Sequence, residues 1–188
     1  EVKEFLDLVK CAVDAKVDAF IIQDLGMAHL LKNSFKGIVL HASTQMGVHN
    51  LLGAKMLEEM GISRVVLSRE TKLEDIKLIK QNTNLEIEYF VQGALCVAFS
   101  GNCYLSSLNN NKSGNRGECA QLCRLKYSAF CDGKEVNAGY LLSTADLCLI
   151  KNLQLLIDAG VTSFKIEGRL RRYGYIAESV KTYSNVLH

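Results

Sequence analysis

Proline is absent from this chain of 188 residues, an absence without functional meaning of its own. Other absences carry more. No apolar run is long enough to span a bilayer and no stretch reads as a secretory signal, which argues against a membrane class and predicts a reducing, cytoplasmic setting. An odd count of seven cysteines argues against a disulfide framework. No Gly-x-Gly-x-x-Gly fingerprint marks a dinucleotide fold. The Gly-x-Ser-x-Gly, His-Glu-x-x-His and Asp-Thr/Ser-Gly signatures of hydrolases are all missing.

What remains is ordinary globular composition, 48% hydrophobic and 22% charged, with enough apolar material for a core. The net charge of +2 decides nothing about nucleic acid. Locally, Lys112, Arg116, Arg124, Lys126 and Lys134 flank one loop, and Lys165, Arg169, Arg171 and Arg172 cluster later. Such groups read as solvated surface or as a basic rim around an anionic substrate. The first residue is Glu1, and Glu1–Ala15 reads as the middle of an amphipathic helix, so the expectation is a chain that begins inside a longer protein.

Four cysteines spaced Cys96-x6-Cys103-x15-Cys119-x3-Cys123 fall in the one irregular stretch. Thiolates gathered from separated turns hold iron–sulfur clusters or zinc. Only Cys119 and Cys123 stand as close as a zinc ribbon's paired ligands. No third cysteine follows them soon enough for a radical-type cluster, and no Cys-x2-Cys redox pair is present. Spacing therefore favours a metal or cluster site and leaves scattered buried thiols open. Cys11 and Cys148 read as buried thiols, and Cys131, beside a turn, as a substitute ligand at most.

Short β-branched and aromatic runs recur at Asp18–Gln23, Gly37–His41, Ser63–Ser68, Leu85–Phe90 and Ser163–Glu167. Helical spacing separates them. Over Gln45–Met60 it puts Val48, Leu51, Leu52, Met56 and Met60 on one face, and over Leu73–Gln81 it points Leu73, Ile76, Leu78 and Ile79 at a core. Thr71 and Glu74 read as a capping box, and Gly160 as the stop of a helix over Lys151–Ala159. Alternating strands and helices predict an α/β fold with a parallel sheet, either a partial TIM-type (β/α) barrel or an open doubly wound sheet. The polar strand ends, Gln23-Asp24, His41–Gln45, Ser68–Glu70 and Lys165–Arg169, suit the mouth of a barrel. Lys126–Gly139 reads as a β-hairpin about Asp132-Gly133. The expected organisation is βα units over residues 1–92, a cysteine-rich cluster-binding insertion over 93–140, and a final βα unit over 141–188.

The run EYFVQGALCVAFSGNCYLS at Glu88–Ser106, with NRGECAQLCRLKY at Asn115–Tyr127, closely resembles the signature of peptidase family U32, the collagenase-like proteins. HASTQM at His41–Met46, RVVLSRE at Arg64–Glu70 and FKIEGR at Phe164–Arg169 extend the resemblance over the whole chain. It implies a TIM-type barrel whose first strands lie upstream, and a [4Fe–4S] cluster on Cys96, Cys103, Cys119 and Cys123. Branches of the family resemble oxygen-independent hydroxylases of ribosomal RNA, transfer RNA or a quinone precursor, and the resemblance implies RNA here, ribosomal ahead of transfer, with prephenate as hydroxyl donor. The cysteine run most resembles the branch that makes 5-hydroxycytidine in large-subunit ribosomal RNA. Gln92 stands where relatives carry His, and Leu122 where they often carry proline or alanine.

On this reading His41, Gln45, Arg69 and Arg169 bind substrate, the two arginines suiting a small dicarboxylate. Glu88 and Glu167 are the acid–base candidates, although each could instead pair with an arginine. About two negative charges on a thiolate-ligated cluster would be partly offset by Arg116, Arg124 and Lys126. Gly93, Gly101 and Gly117 would let backbone amides approach the sulfurs. The competing classes are a collagenase-like peptidase, hydroxylation of transfer RNA uridine by a sister branch, and a subunit lending its cluster to a paralogous partner.

Overall fold

The structure, a computed structural model, describes residues 1–187 apart from the Asn110 side chain. Four strands, β1 (Phe20–Ile22), β2 (Leu40–Ala42), β3 (Arg64–Val66) and β4 (Glu86–Ala94), lie side by side in chain order, all parallel. A fifth parallel strand, here β8 (Val161–Ile166), pairs β4. Helices α1 (Val2–Asp14), α2 (Leu25–Ser34), α3 (Leu51–Glu59), α4 (Leu73–Asn82), α6 (Leu153–Asp158) and α7 (Tyr173–Leu187) accompany the strands. Strand order never reverses, so the sheet is singly wound and has no switch point of the doubly wound kind.

Side chains alternate across a strand, and here the two faces differ sharply. Ile22, Leu40, Ala42, Val65, Ile87, Tyr89 and Val91 join Ala28, Leu31, Ala54, Leu57, Ile76, Ile79, Leu156 and Tyr183 in one continuous core. Every helix in that core therefore packs on the same face. The opposite face carries Ile21, His41, Arg64, Val66, Glu88, Phe90 and Lys165, and among these Ile21 is 58% exposed. A bulge in β8 skips Thr162, so Val161 stays in the core while Ser163 pairs Glu88 on the polar face.

Between β4 and β8 runs the irregular segment. It holds α5 (Leu105–Asn110), single turns at Phe99–Gly101, Gly114–Arg116 and Leu122–Arg124, and the hairpin β5 (Tyr127–Cys131) with β6 (Lys134–Gly139). Asp132 at φ 49° and Gly133 at φ 76° make the turn the sequence predicts. A short strand β7 (Asp146–Cys148) then pairs antiparallel with the end of β4.

Several expectations are corrected. The helix expected over Gln45–Met60 starts at Leu51, because Thr44–Met46 forms a tight turn closed by Gly47 at φ 70°. Its buried residues are Ala54 and Leu57, while Leu52 is 80% exposed. A small alanine lets the helix lie close on the sheet beside Leu57, while Leu52 and Met56 point outward. In α4, Ile76 and Ile79 are buried but Leu78 is exposed. The capping box does not form: Lys72 is the N-cap without a side-chain bond, and the Thr71 hydroxyl donates to the Ser68 carbonyl instead, at 2.7 Å. Cys11 and Cys148 are exposed, not buried, since Cys11 lies on the solvent side of α1 and Cys148 on the short strand β7. Gly160, at φ 93°, ends α6 as expected.

Candidate functional site at the strand ends

The C-terminal ends of β2, β3, β4 and β8 open on one cavity of about 500 Å³. Gln45 reaches it after β2, Arg69 after β3, Cys96 after β4, and Glu167 and Arg169 after β8. The irregular segment supplies the opposite wall with Cys103, Cys119 and Cys123. The chain thus brings all four expected ligand cysteines to one space.

Arg69 is held from several sides. Its guanidinium stacks 3.8 Å from the centre of the Phe90 ring, and Nη2 lies 3.7 Å from Glu167 Oε2. Burial pulls its pKa down, opposed by Glu167 and then by the nearby Cys96 thiol. Its carbonyl, with that of Thr71, shares the proton of the Tyr89 hydroxyl, at 2.8 and 3.0 Å. Burial pushes that phenol up to about 12, so it stays a donor. Arg169 is exposed, has no carboxylate partner among the described residues, and leans on Gly117. Its own N–H donates to Glu167 Oε1 at 3.3 Å. Gln45 donates to Asn115 Oδ1 at 3.3 Å and so ties β2 to the 114–116 turn.

Two expected site residues sit elsewhere. Glu88 lies on the polar sheet face, where it accepts from Lys165 at 2.7 Å and Ser163 at 2.9 Å, with Arg64 at 3.5 Å. Burial raises its pKa, but Lys165, Ser163 and Arg64 outweigh it and hold the carboxyl below the usual range. Glu88 is therefore a paired anion behind Lys165, which itself lines the cavity. His41 stands on the same face, its pKa lowered by burial and then by Arg64. Neither lines the cavity. Gln92 faces α7: its amide donates to Tyr175 Oη at 2.8 Å, and Tyr183 Oη lies 3.2 Å from its Oε1.

Sequence reasoning passed over Glu70 and Ser100. Glu70 accepts the Ser100 N–H at 2.9 Å and its hydroxyl at 2.5 Å, while Ser100 Oγ accepts the Arg69 N–H at 2.9 Å. Glu70 was visible only as one of a polar strand end, and no local pattern marks a pair thirty positions apart. Arg124, expected as a counter-charge, spends its guanidinium on Ser143 Oγ and the carbonyls of Thr144 and Leu95.

The donor set fits a thiolate-bound cluster. Cys103 Sγ accepts the Leu105 N–H and Cys119 Sγ accepts the Gln121 N–H, each at 3.4 Å. Such amide bonds stabilise anionic sulfur. Ser106 Oγ stands 4.0 Å from Cys119 Sγ. Burial pushes the Cys123 thiol up, Arg124 opposes, and Cys96, Cys119 and Cys103 each push it further. Among the described residues no three His, Cys, Asp or Glu side chains are arranged to hold a single metal ion. Ligands of a polynuclear cluster bind different irons and need not converge on one point.

A singly wound α/β protein with a thiol-lined cavity at its strand ends is the class that fold and site define. The chain belongs to peptidase family U32, whose model matches residues 1–188. It is 44% identical over 173 residues to the 23S rRNA 5-hydroxycytidine synthase of Escherichia coli, covering 91% of this chain and 26% of that protein. It is 35% identical over 189 residues to tRNA hydroxylation protein P1 of Bacillus subtilis, covering 96% and 45%. A collagenase of Porphyromonas gingivalis is 32% identical over 199 residues, covering 96% and 46%. The chain thus spans between a quarter and a half of the length of these curated relatives. No solved structure matches it.

Proposed function

We propose that this chain carries the cluster-binding and substrate-facing part of an iron–sulfur-dependent, oxygen-independent RNA hydroxylase. The observation that carries the reading is the single cavity joining Cys96, Cys103, Cys119 and Cys123 to Arg69, Glu167 and Arg169. Two named relatives act on RNA, one on 23S rRNA and one on tRNA, and the higher identity to the first favours cytidine in ribosomal RNA. Unbroken strand order, with helices on one face only, supports completion of the sheet into a (β/α) barrel by the rest of the protein.

The four cysteines would hold a [4Fe–4S] cluster, which supplies electron-transfer chemistry when bound. This chain's own residues do the rest. Arg69 and Arg169 bind the carboxylates of a small dicarboxylate donor such as prephenate, because a planar guanidinium meets a carboxylate bidentately. Glu167, tied to Arg69 and to the Arg169 amide, is the carboxylate placed to accept or return a proton within the cavity. Phe90 and Ile166 keep the floor apolar, which strengthens these charge contacts. Arg116 and Arg172 are exposed and follow the cavity-lining Asn115 and Arg171 in the chain, and Tyr173 is 85% exposed. Cationic groups track phosphate and an open ring stacks on a base.

The test is anaerobic purification of the full-length protein beside a Cys103→Ser variant, followed by nucleoside analysis of ribosomal and transfer RNA from a deletion strain. About four irons per chain, lost in the variant, with a hydroxylated cytidine missing from ribosomal RNA, is the expected result. Stoichiometric zinc, or no metal, overturns the reading. A missing hydroxyuridine in transfer RNA moves the target instead.

A further inference from the structure

The two halves of the site meet at one buried serine. Ser100 is fully buried although it sits in a loop. Its backbone stands at φ 42°, ψ 41°, which a non-glycine residue keeps only where its surroundings overdetermine it. Both Glu70 oxygens grip it, one through the N–H and one through the hydroxyl, and the same hydroxyl accepts the Arg69 N–H. A glycine would carry this backbone without strain but could make neither hydroxyl bond. The turn so held lies between Cys96 and Cys103 in the chain. The Arg69 side chain meanwhile lines the same cavity as Cys96.

We propose that Glu70 and Ser100 form a latch that fixes the Cys96–Cys103 loop against Arg69, coupling placement of two thiols to placement of the carboxylate-binding arginine. Both are positioning residues. They act through Arg69 and through the two cysteines, and their consequence for the cluster rests on the iron–sulfur reading. Because Glu70 follows Arg69 directly, a shift of the loop moves the arginine's backbone with it. Cys119 and Cys123 lie on a later stretch held at Ser106, Leu95, Ser143 and Thr144, none of them inside the Cys96–Cys103 loop, and serve as internal controls.

The experiment compares full-length wild type, Ser100→Ala and Glu70→Gln. Glu70→Gln keeps the shape and one acceptor, and so remains informative if Ser100→Ala fails to fold. In metal-free protein, peptide-resolved alkylation by iodoacetamide should run several-fold faster at Cys96 and Cys103 in both variants. Cys119 and Cys123 should keep wild-type rates. In iron-loaded protein, the electron paramagnetic resonance spectrum of the reduced cluster should shift in both variants. Unchanged rates, or equal acceleration at all four cysteines, overturn the latch, as does an unaltered spectrum. If wild type takes up no iron, the hydroxylase reading falls, while the alkylation pattern still decides the latch.

Discussion

Gly93 makes the tightest close approach in the site. At φ 117°, an added Cβ would lie 2.4 Å from the Glu167 carbonyl oxygen, which is backbone and cannot swing away. Gly93→Ala should therefore cost on the order of 3 kcal/mol and displace Glu167, read as a lowered urea midpoint. Two residues on the polar face contribute to the acid response of the fold. Burial, then Arg64, lowers the pKa of His41 in the folded chain below its ordinary 6.5. The unfolded chain therefore takes up that proton first, and stability falls as pH drops below 6.5. Glu88 has a folded pKa below its ordinary 4.5, so its contribution is present above that pH and is lost as pH falls through the folded value. Urea midpoints between pH 7 and pH 3 should flatten in the upper window for His41→Gln and in the lower for Glu88→Gln. Identical profiles for all three proteins would sink both assignments.

At the scale of elements, capping shows how differently neighbouring helices are secured. Asp24 caps α2 by accepting the Met27 N–H at 2.8 Å, and Asn50 caps α3 by accepting the Gly53 N–H at 2.9 Å. Helix α4 lacks such a bond, because Thr71 turns its hydroxyl back to Ser68 and leaves Lys72 at the cap. Lys72 already holds the extended backbone of an N-cap, so Lys72→Ser should add a bond and stabilise by about 1 kcal/mol. Thermal unfolding checks this, and a neutral or negative change refutes it. The β5–β6 hairpin stands apart from the main sheet, its register set by the Asp132-Gly133 turn, with Phe130 64% exposed. Gly133 at φ 76° cannot become alanine without strain.

For the whole molecule, charge placement matters more than net charge. The two basic stretches, far apart in sequence, meet where Arg169 leans on Gly117, next to Arg116. Lys165 and Arg171 are paired with Glu88 and Asp146, whereas Arg116 and Arg172 are exposed, make no ion pair among the described residues and can meet an external polyanion. RNA affinity of the full-length protein should fall with salt, and Arg116→Ala and Arg172→Ala should each reduce the slope of log affinity against log salt by about one. Lys10→Ala, on α1 at the helix side of the sheet, should leave that slope alone. Equal slopes for all three would remove the rim from the RNA path.

Strand positions, the hairpin turn and the helix stop at Gly160 were legible in the sequence because each depends on local periodicity or on turn chemistry written at fixed spacing. Five apolar runs became five parallel strands in the expected order, since a strand's pattern survives whatever packs on it. Helix faces were less legible: Leu52 and Leu78 match a helical stripe, yet the sheet selected Ala54, Leu57, Ile76 and Ile79 by closeness of approach. The tertiary structure alone decided which polar residues share a space. It gathered Arg69, Glu167, Arg169 and four cysteines around one cavity, paired Glu88 with Lys165 on the sheet face, and buried Ser100 against Glu70. Those contacts join residues as much as 98 positions apart (Arg69 and Glu167). Strand crossovers bring such residues together, and spacing along the chain carries no record of it.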